Sequence, residues 1–264
     1  MVNMNMVNMN MPNMAVFDVE SNGMMGSSVL SASSIVFGGD GTLLDIFNRF
    51  YLPHERFDPY AVRVHGLTPG RILALRESSA ASFGAPRHFL EDWPDLIEFW
   101  EGWNVAGVVV HNLPFDTSFL PEIAQSALRW WCSMRGLTLY CAIPKPSGNI
   151  AAGGKRYKWP KLSEAADIIC NSPRALSPPA ETERAEAEAG EGAAHVSLFD
   201  CFELYRMVSR IARHRGDLLR FAPSVVVFRP PKTHAAPAAG TSPAPDRVTA
   251  DILDYERRLR ALLR

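Results

Sequence analysis

The chain alternates apolar blocks with polar breaks marked by Gly or Pro, and the spacing within each block predicts its element. An apolar run at about 14–19 leads into FDVESNG at 17–23. SSVLSASSIVF at 27–37 and LLDIFNRFYL at 43–52 are rich in β-branched and aromatic residues, and Gly38-Gly39-Asp40-Gly41 between them signals a hairpin. Three successive strands joined by short turns predict a sheet that opens antiparallel. A loop through Pro53, Pro59, Gly66 and Pro69 is expected next. From Pro86 to about Trp103, Phe89, Trp93, Leu96, Ile97 and Trp100 share one helical side, with Pro94 expected to break or kink it.

VAGVVVH at 105–111 is a continuous apolar run of the kind a buried central strand shows, and it feeds into LPFDTSFLPEIAQSAL, helical from near Phe115. A strand passing straight into a helix is half of a parallel crossover unit. RWWCSM at 129–134 reads as a strand and KLSEAADIIC at 161–170 as a short helix. Residues 171–194 are rich in Pro, Ala and Glu with little to bury, which predicts a flexible insertion. Helical periodicity returns at 195–214 through Leu198, Phe202, Tyr205, Val208 and Ile211, and SVVVF at 224–228 reads as a last strand.

Arg229 to Asp246 reads as a Pro/Ala linker. In the segment 246–264, Val248, Ile252, Tyr255, Leu259 and Leu262 recur at four- and three-residue steps. That seam serves either to tether a partner protein or second copy, or to fold back on its own domain. The N-terminal MVNMNMVNMNMPNM is a near-repeat, read as low-complexity disorder or as an upstream start artefact with Met14 as the true beginning. The expected organisation is thus 1–13 low-complexity, 14–228 one α/β domain, 229–245 linker and 246–264 an amphipathic helix.

Composition narrows the class. At 264 residues and 47% hydrophobic the chain can bury a full core, while a net charge of −1 gives no global basic signature for nucleic acid. Any such contact must come from local patches or from metal. The four cysteines, Cys132, Cys141, Cys170 and Cys201, form no Cys-x-x-Cys pair, which excludes the usual zinc and disulfide patterns and fits a reducing cytoplasm. No apolar run reaches the roughly 20 residues of a membrane span.

The chemistry lies in carboxylates. Asp18 and Glu20 sit two apart on a strand and so project from one face, where mutual repulsion calls for a divalent cation or a shared proton. Asp116 opens the helix after the buried strand, and Asp200 lies on the late helix with His195 at its start. In an open α/β sheet, strand ends and following helix starts converge on one crevice. His195 and Asp200 are about 140° apart on a regular helix, so His195 reaches the site only from just before the helix, a position suited to a general base. His111 and His65 read as structural histidines, and Asn112 either caps the following helix or lies near substrate.

These three segments, FDVESNG, HNLPFD and HVSLFD, resemble the three motifs of the DEDDh family of 3′–5′ exonucleases in the ribonuclease-H-like superfamily, whose best-known member is the epsilon proofreading subunit of bacterial DNA polymerase III. AVRVHGLT at 61–68 and KWPKLSEA at 158–165 also resemble family segments, so the resemblance covers roughly 14–228. It implies a ribonuclease-H-like mixed sheet flanked by helices, and two Mg²⁺ or Mn²⁺ ions on Asp18, Glu20 and Asp200 with Asp116 placing the second. His195 would then be the base that takes a proton from the attacking water. Nucleoside 5′-monophosphates would leave the 3′ end of single-stranded or frayed DNA. RNA trimming is the alternative within the enzyme class, and a polymerase-associated interaction module is the alternative outside it. Ser21-Asn22 replace the family's usual Thr-Thr, which bears on how Ser21, Asn22 and Gly23 meet the terminal nucleotide.

The segment GGKRYKWPK at 153–161 interleaves Lys155, Arg156, Lys158 and Lys161 with Tyr157 and Trp159. That pattern suits a phosphate backbone with stacked bases, and equally a solvated basic loop anchored by Trp159.

Overall fold

The computed structural model describes residues 12–79, 82, 84–145, 156–171, 196–232 and 244–263. The expectations for the N-terminal repeat, for His195, for Lys155 and for most of the 171–194 insertion fall outside these residues.

Three strands open the chain: β1 (Met14–Ser21), β2 (Val29–Phe37) and β3 (Leu43–Phe50). Both successive pairs are antiparallel, as the hairpin signals predict. β4 (Gly107–Val110) then pairs parallel with β1, and β5 (Arg129–Cys132) parallel with β4. A two-residue β6 (Ala222–Pro223) closes the edge antiparallel to β5, giving the order β3-β2-β1-β4-β5-β6. This is the expected ribonuclease-H-like mixed sheet.

Period-two alternation sorts the strand residues onto two faces. Met14 and Val16 of β1, Ile35 and Phe37 of β2 and Val109 of β4 pack with Leu198, Cys201, Phe202 and Val208 of the long helix Ser197–Arg215. Ala15, Phe17 and Val19 of β1 pack on the opposite face against Phe89, Leu96 and Trp100 of one helix. The even-numbered side of β1 therefore faces the long helix, and Asp18 and Glu20 extend that face toward it.

Four expectations are corrected. The stretch after β3 is largely helical: α1 (Pro59–His65) and α2 (Pro69–Ser78) each carry a proline at the first turn, where no intrahelical N–H bond is lost. Asp58 and Thr68 cap them, and Gly66 ends α1 in the left-handed region at φ 71°. Those prolines and Gly66 mark helix boundaries within what reads as loop. Conversely, α3 (Phe89–Gly102) runs through Pro94 as one 14-residue helix, with Phe89 before the proline and Leu96 and Trp100 after it all buried. The helix expected from Phe115 is interrupted, with one turn at Leu113–Asp116, a 3₁₀ turn at Thr117–Phe119 and a second helix at Glu122–Ser126 beginning after Pro121.

Residues 224–228 form no strand, because Val225 and Val227 are exposed and the buried Gln125 side chain takes the place of a neighbouring backbone. Its Nε2 donates to the Val226 carbonyl at 2.7 Å and its Oε1 accepts from the Val226 N–H at 2.5 Å.

Of the two expectations for the C-terminal seam, the structure shows the second: the helix Arg247–Arg260 folds back on the domain and buries Ile252, Tyr255 and Leu259 there. Ile252, Tyr255 and Leu259 are each at most 5% exposed. Ile252 packs with Val196, Leu67 and Ile72, while Tyr255 and Leu259 join the core of the long helix. Asp246, which caps this helix, pairs with Arg71 of α2 at 2.7 Å. Among the described residues no helix is long and apolar enough to cross a membrane.

Candidate active site

β1 carries Asp18 and Glu20 out of the core on the side of the long helix, and the first turn of that helix presents Asp200 to them. Carboxylate oxygens of the three residues lie within 4.8 Å of one another. Asp116 enters from the exit of β4, the parallel neighbour of β1, and is 3% exposed. Its Oδ2 accepts the backbone N–H of Asn112 at 3.2 Å, the bond that folds the turn after β4 over the site.

Burial pushes the Asp18 pKa well up, with the charges of Asp116, Asp200 and Glu20 adding to it. Glu20 is raised by burial and then by Asp200 and Asp116. Asp116 is pushed from 3.8 to about 8, chiefly by burial, against the lowering effect of its backbone hydrogen bonds. Four acids placed where each opposes the ionisation of the others are costly to a fold, and either protons or cations must relieve them. Hard carboxylate oxygens at this mutual distance are the donors Mg²⁺ and Mn²⁺ prefer. The residues present fit such a group.

The other expected site residues divide. Ser21 donates to the Gly23 carbonyl at 2.6 Å, closing the turn after β1. Asn22 is buried and its amide is fully used: Nδ2 donates to Glu55 and to the Arg56 carbonyl, and Oδ1 accepts from the Asp58 N–H. In this structure Asn22 braces β1 against the approach to α1. Glu55 also holds the Ser28 N–H and hydroxyl, a role sequence did not reveal because its partners lie 27 and 33 residues away.

His65 is buried, and its Nδ1 accepts from the Leu67 N–H at 3.0 Å, which places the proton on Nε2. Burial lowers its pKa to about 4, opposed by the nearby Ser21 backbone, yet Nε2 reaches no hydrogen-bond partner among the described residues. His111 is structural as expected, with Nδ1 against the Ser133 hydroxyl at 2.9 Å and Nε2 against the Pro160 carbonyl at 3.1 Å. Asn112 stands at the start of its helix with no side-chain cap bond and an exposed side chain.

Arg156 is exposed with its guanidinium 5.8 Å from the Tyr157 ring. Trp159 is 52% exposed beside Arg135, so it is not the anchor of the basic loop; buried Pro160, held by His111, is.

No family model matches the chain, and no curated protein matches it. Among solved structures it is similar to exonuclease X in complex with 5′ overhanging duplex DNA, at 18% identity and TM-score 0.46, over 77% of this chain and 93% of that one. It is also similar to a structure of 3′-end-specific recognition of a histone mRNA stem-loop by a 3′-exonuclease, at 11% identity and TM-score 0.49, over 80% of this chain and 66% of that one. A third is E. coli exonuclease I with a 5cy-dT13 oligonucleotide, at 11% identity and TM-score 0.44, over 79% of this chain and 42% of that one.

Proposed function

We propose that the protein is a metal-dependent 3′–5′ exonuclease that releases nucleoside 5′-monophosphates, with DNA ends as its principal substrate. The observation that carries this reading is the convergence of Asp18, Glu20 and Asp200 within 4.8 Å, with buried Asp116 beside them. A carboxylate cluster on a ribonuclease-H-like strand end, in motifs of matching order and spacing, supports phosphodiester hydrolysis over other chemistries of the fold.

When bound, a pair of Mg²⁺ or Mn²⁺ ions supplies a water of lowered pKa and neutralises charge on the phosphoryl group and leaving oxygen. Asp18 and Glu20 hold their oxygens together from one strand face, which fixes the ligand spacing without side-chain rearrangement. Asp200 completes the set from the helix, and Asp116 serves a second position. His195, two residues before Ser197, takes the proton of the attacking water. Exposed Asn112, Arg156 and Trp159 offer an amide, a cation and an aromatic ring, which suit phosphate and base contacts.

The test is degradation of 5′-labelled single-stranded DNA and RNA of equal length in Mg²⁺, Mn²⁺ or EDTA. The expected result is a ladder shortening from the 3′ end only with metal, more rapid on DNA, and absent in Asp18→Ala. Faster loss of RNA would reassign the substrate, and no cleavage of either polymer in any metal would overturn the reading.

A further inference from the structure

A row of buried polar side chains crosses the sheet at the level of the acidic cluster. Ser33 of β2 is the register partner of Asp18, Ser31 is that of Glu20, and Asn48 of β3 is that of Ser33. Ser31, Ser33, Asn48 and Ser197 have no exposed surface, on a face otherwise filled by Ile35 and Phe37. Such residues persist in a core only when hydrogen-bonded. Here each is: the Ser197 hydroxyl lies 2.8 Å from that of Ser31 and 2.7 Å from that of Ser33, the Ser33 hydroxyl donates to Asn48 Oδ1 at 2.8 Å, and Asn48 Nδ2 donates to Glu256 Oε2 at 3.0 Å.

The direction of the whole chain follows from its end. An ionised carboxylate only accepts, so Glu256 requires the Asn48 amino group to face it, which leaves Asn48 Oδ1 to accept from Ser33. The single Ser33 proton is then spent, so Ser197 donates to Ser33 and Ser31 to Ser197. Glu256 thus sets Asn48, Ser33, Ser197 and Ser31 in line, and Ser197 is the residue three before Asp200. Glu256 is 5% exposed and is itself held by Ser79 at 3.2 Å and Arg260 at 3.0 Å.

A separate contact supports the same helix turn. The Tyr255 ring stacks on Phe199 with centroids 4.1 Å apart and meets Phe202 edge-on at 6.0 Å. Phe199 is the residue immediately before Asp200.

We propose that Glu256 of the C-terminal helix is a positioning residue for the acidic site: through Asn48 and Ser33 it orients Ser197 and holds the helix turn that presents Asp200. Docking of the C-terminal helix thereby sets the cation affinity of a site to which it contributes no ligand. The proposal rests on the reading of Asp18, Glu20 and Asp200 as cation ligands.

The test is Mn²⁺ titration calorimetry on the full chain, paired with amide hydrogen exchange over residues 197–201. Glu256→Ala should weaken Mn²⁺ binding by about tenfold or more, the range for loss of a group that orients ligands, and should speed exchange in that turn. Glu256→Gln, which still offers Asn48 an acceptor, should restore both to within about twofold. Ser33→Ala breaks the same chain at a smaller side chain and should act like Glu256→Ala if that variant folds poorly. Leu96→Ala, in the core on the opposite face, should lower the melting temperature without changing Mn²⁺ affinity.

An unchanged Mn²⁺ affinity and exchange rate in both Glu256→Ala and Ser33→Ala would overturn the proposal, as would equal weakening in Leu96→Ala. Absence of Mn²⁺ binding in the unsubstituted protein would instead sink the metal reading. In that case unaltered exchange at 197–201 in Glu256→Ala would overturn the positioning role on its own.

Discussion

The Asn22 amide donates to the Glu55 carboxylate at 2.9 Å, tying the residue two beyond Glu20 to the segment that leads into α1. Asn22→Ala removes both donors and the acceptor of a buried group, takes one of the three hydrogen bonds of Glu55, and deprives the Arg56 carbonyl and the Asp58 N–H of this partner. A loss of about 1–3 kcal/mol in urea unfolding is expected. Asn112→Ala, at an exposed side chain, should leave the urea midpoint in place and raise KM for a single-stranded oligonucleotide.

The acidic cluster makes the metal-free protein respond to pH in an unusual sense. Asp116 has its pKa raised from 3.8 to about 8, so between those values the folded state binds more protons than the unfolded one. Stability in EDTA therefore increases as pH falls from about 8, the reverse of ordinary acid denaturation, and Asp18 and Glu20 act in the same direction. His65 opposes this, since its pKa is lowered from 6.5 to about 4 and the unfolded chain binds the extra proton in that window. Melting temperatures in EDTA should climb steeply as pH drops from about 8 to about 6.5 and more shallowly below. Saturating Mn²⁺ should flatten or reverse the slope, because the bound form requires ionised carboxylates. A melting temperature that rises with pH in EDTA would contradict the raised acids.

Asp18→Asn should separate stability from function. It removes one of four acids that oppose one another's ionisation, so the metal-free protein should melt higher than the unsubstituted one at pH near 8. Mn²⁺ binding and nuclease activity should both be lost.

Gly107 opens β4 where a Cβ would come within 2.5 Å of the Phe221 ring. Phe221 cannot withdraw easily, since its carbonyl accepts from Arg129 at 2.7 Å and the next two residues form β6. Gly107→Ala should cost about 1–3 kcal/mol of stability, measured by urea unfolding, with a blue or red shift of tryptophan emission from Trp130 in the adjoining strand.

Trp159 is half exposed beside Arg135 and bears little on the core. Trp159→Ala should leave the melting temperature unchanged and weaken single-strand binding by an amount within the about 1–3 kcal/mol of one stacked base. Arg156→Ala should lower the salt dependence of binding. An unaltered salt slope would remove Arg156 from the interface.

Much of this architecture was readable along the chain. Period-two alternation in 14–21 fixes that Asp18 and Glu20 share a face with Met14 and Val16, because neighbouring side chains on a strand must point oppositely. The apolar run at 107–110 and the periodicity from Leu198 to Ile211 likewise declare a central strand and a helix through local geometry alone. Prolines were ambiguous for a physical reason: Pro59 and Pro69 start helices while Pro94 sits inside one, and only the capping partners and packing of each distinguish the cases.

What local pattern could not settle were choices between partners far apart in the chain. The seam of Ile252, Tyr255 and Leu259 suits any apolar surface, and whether it meets its own domain depends on the groove that α2 and the long helix leave open. Asn22 looks free to read a nucleotide until Glu55 and Asp58 are folded against it. Serines 31 and 33 interrupt an otherwise apolar face, a visible irregularity, but the acceptor that makes them tolerable is Glu256, more than 200 residues later. Strand and helix come from neighbours a few residues apart; the satisfaction of buried polar groups comes from whatever the whole chain brings beside them.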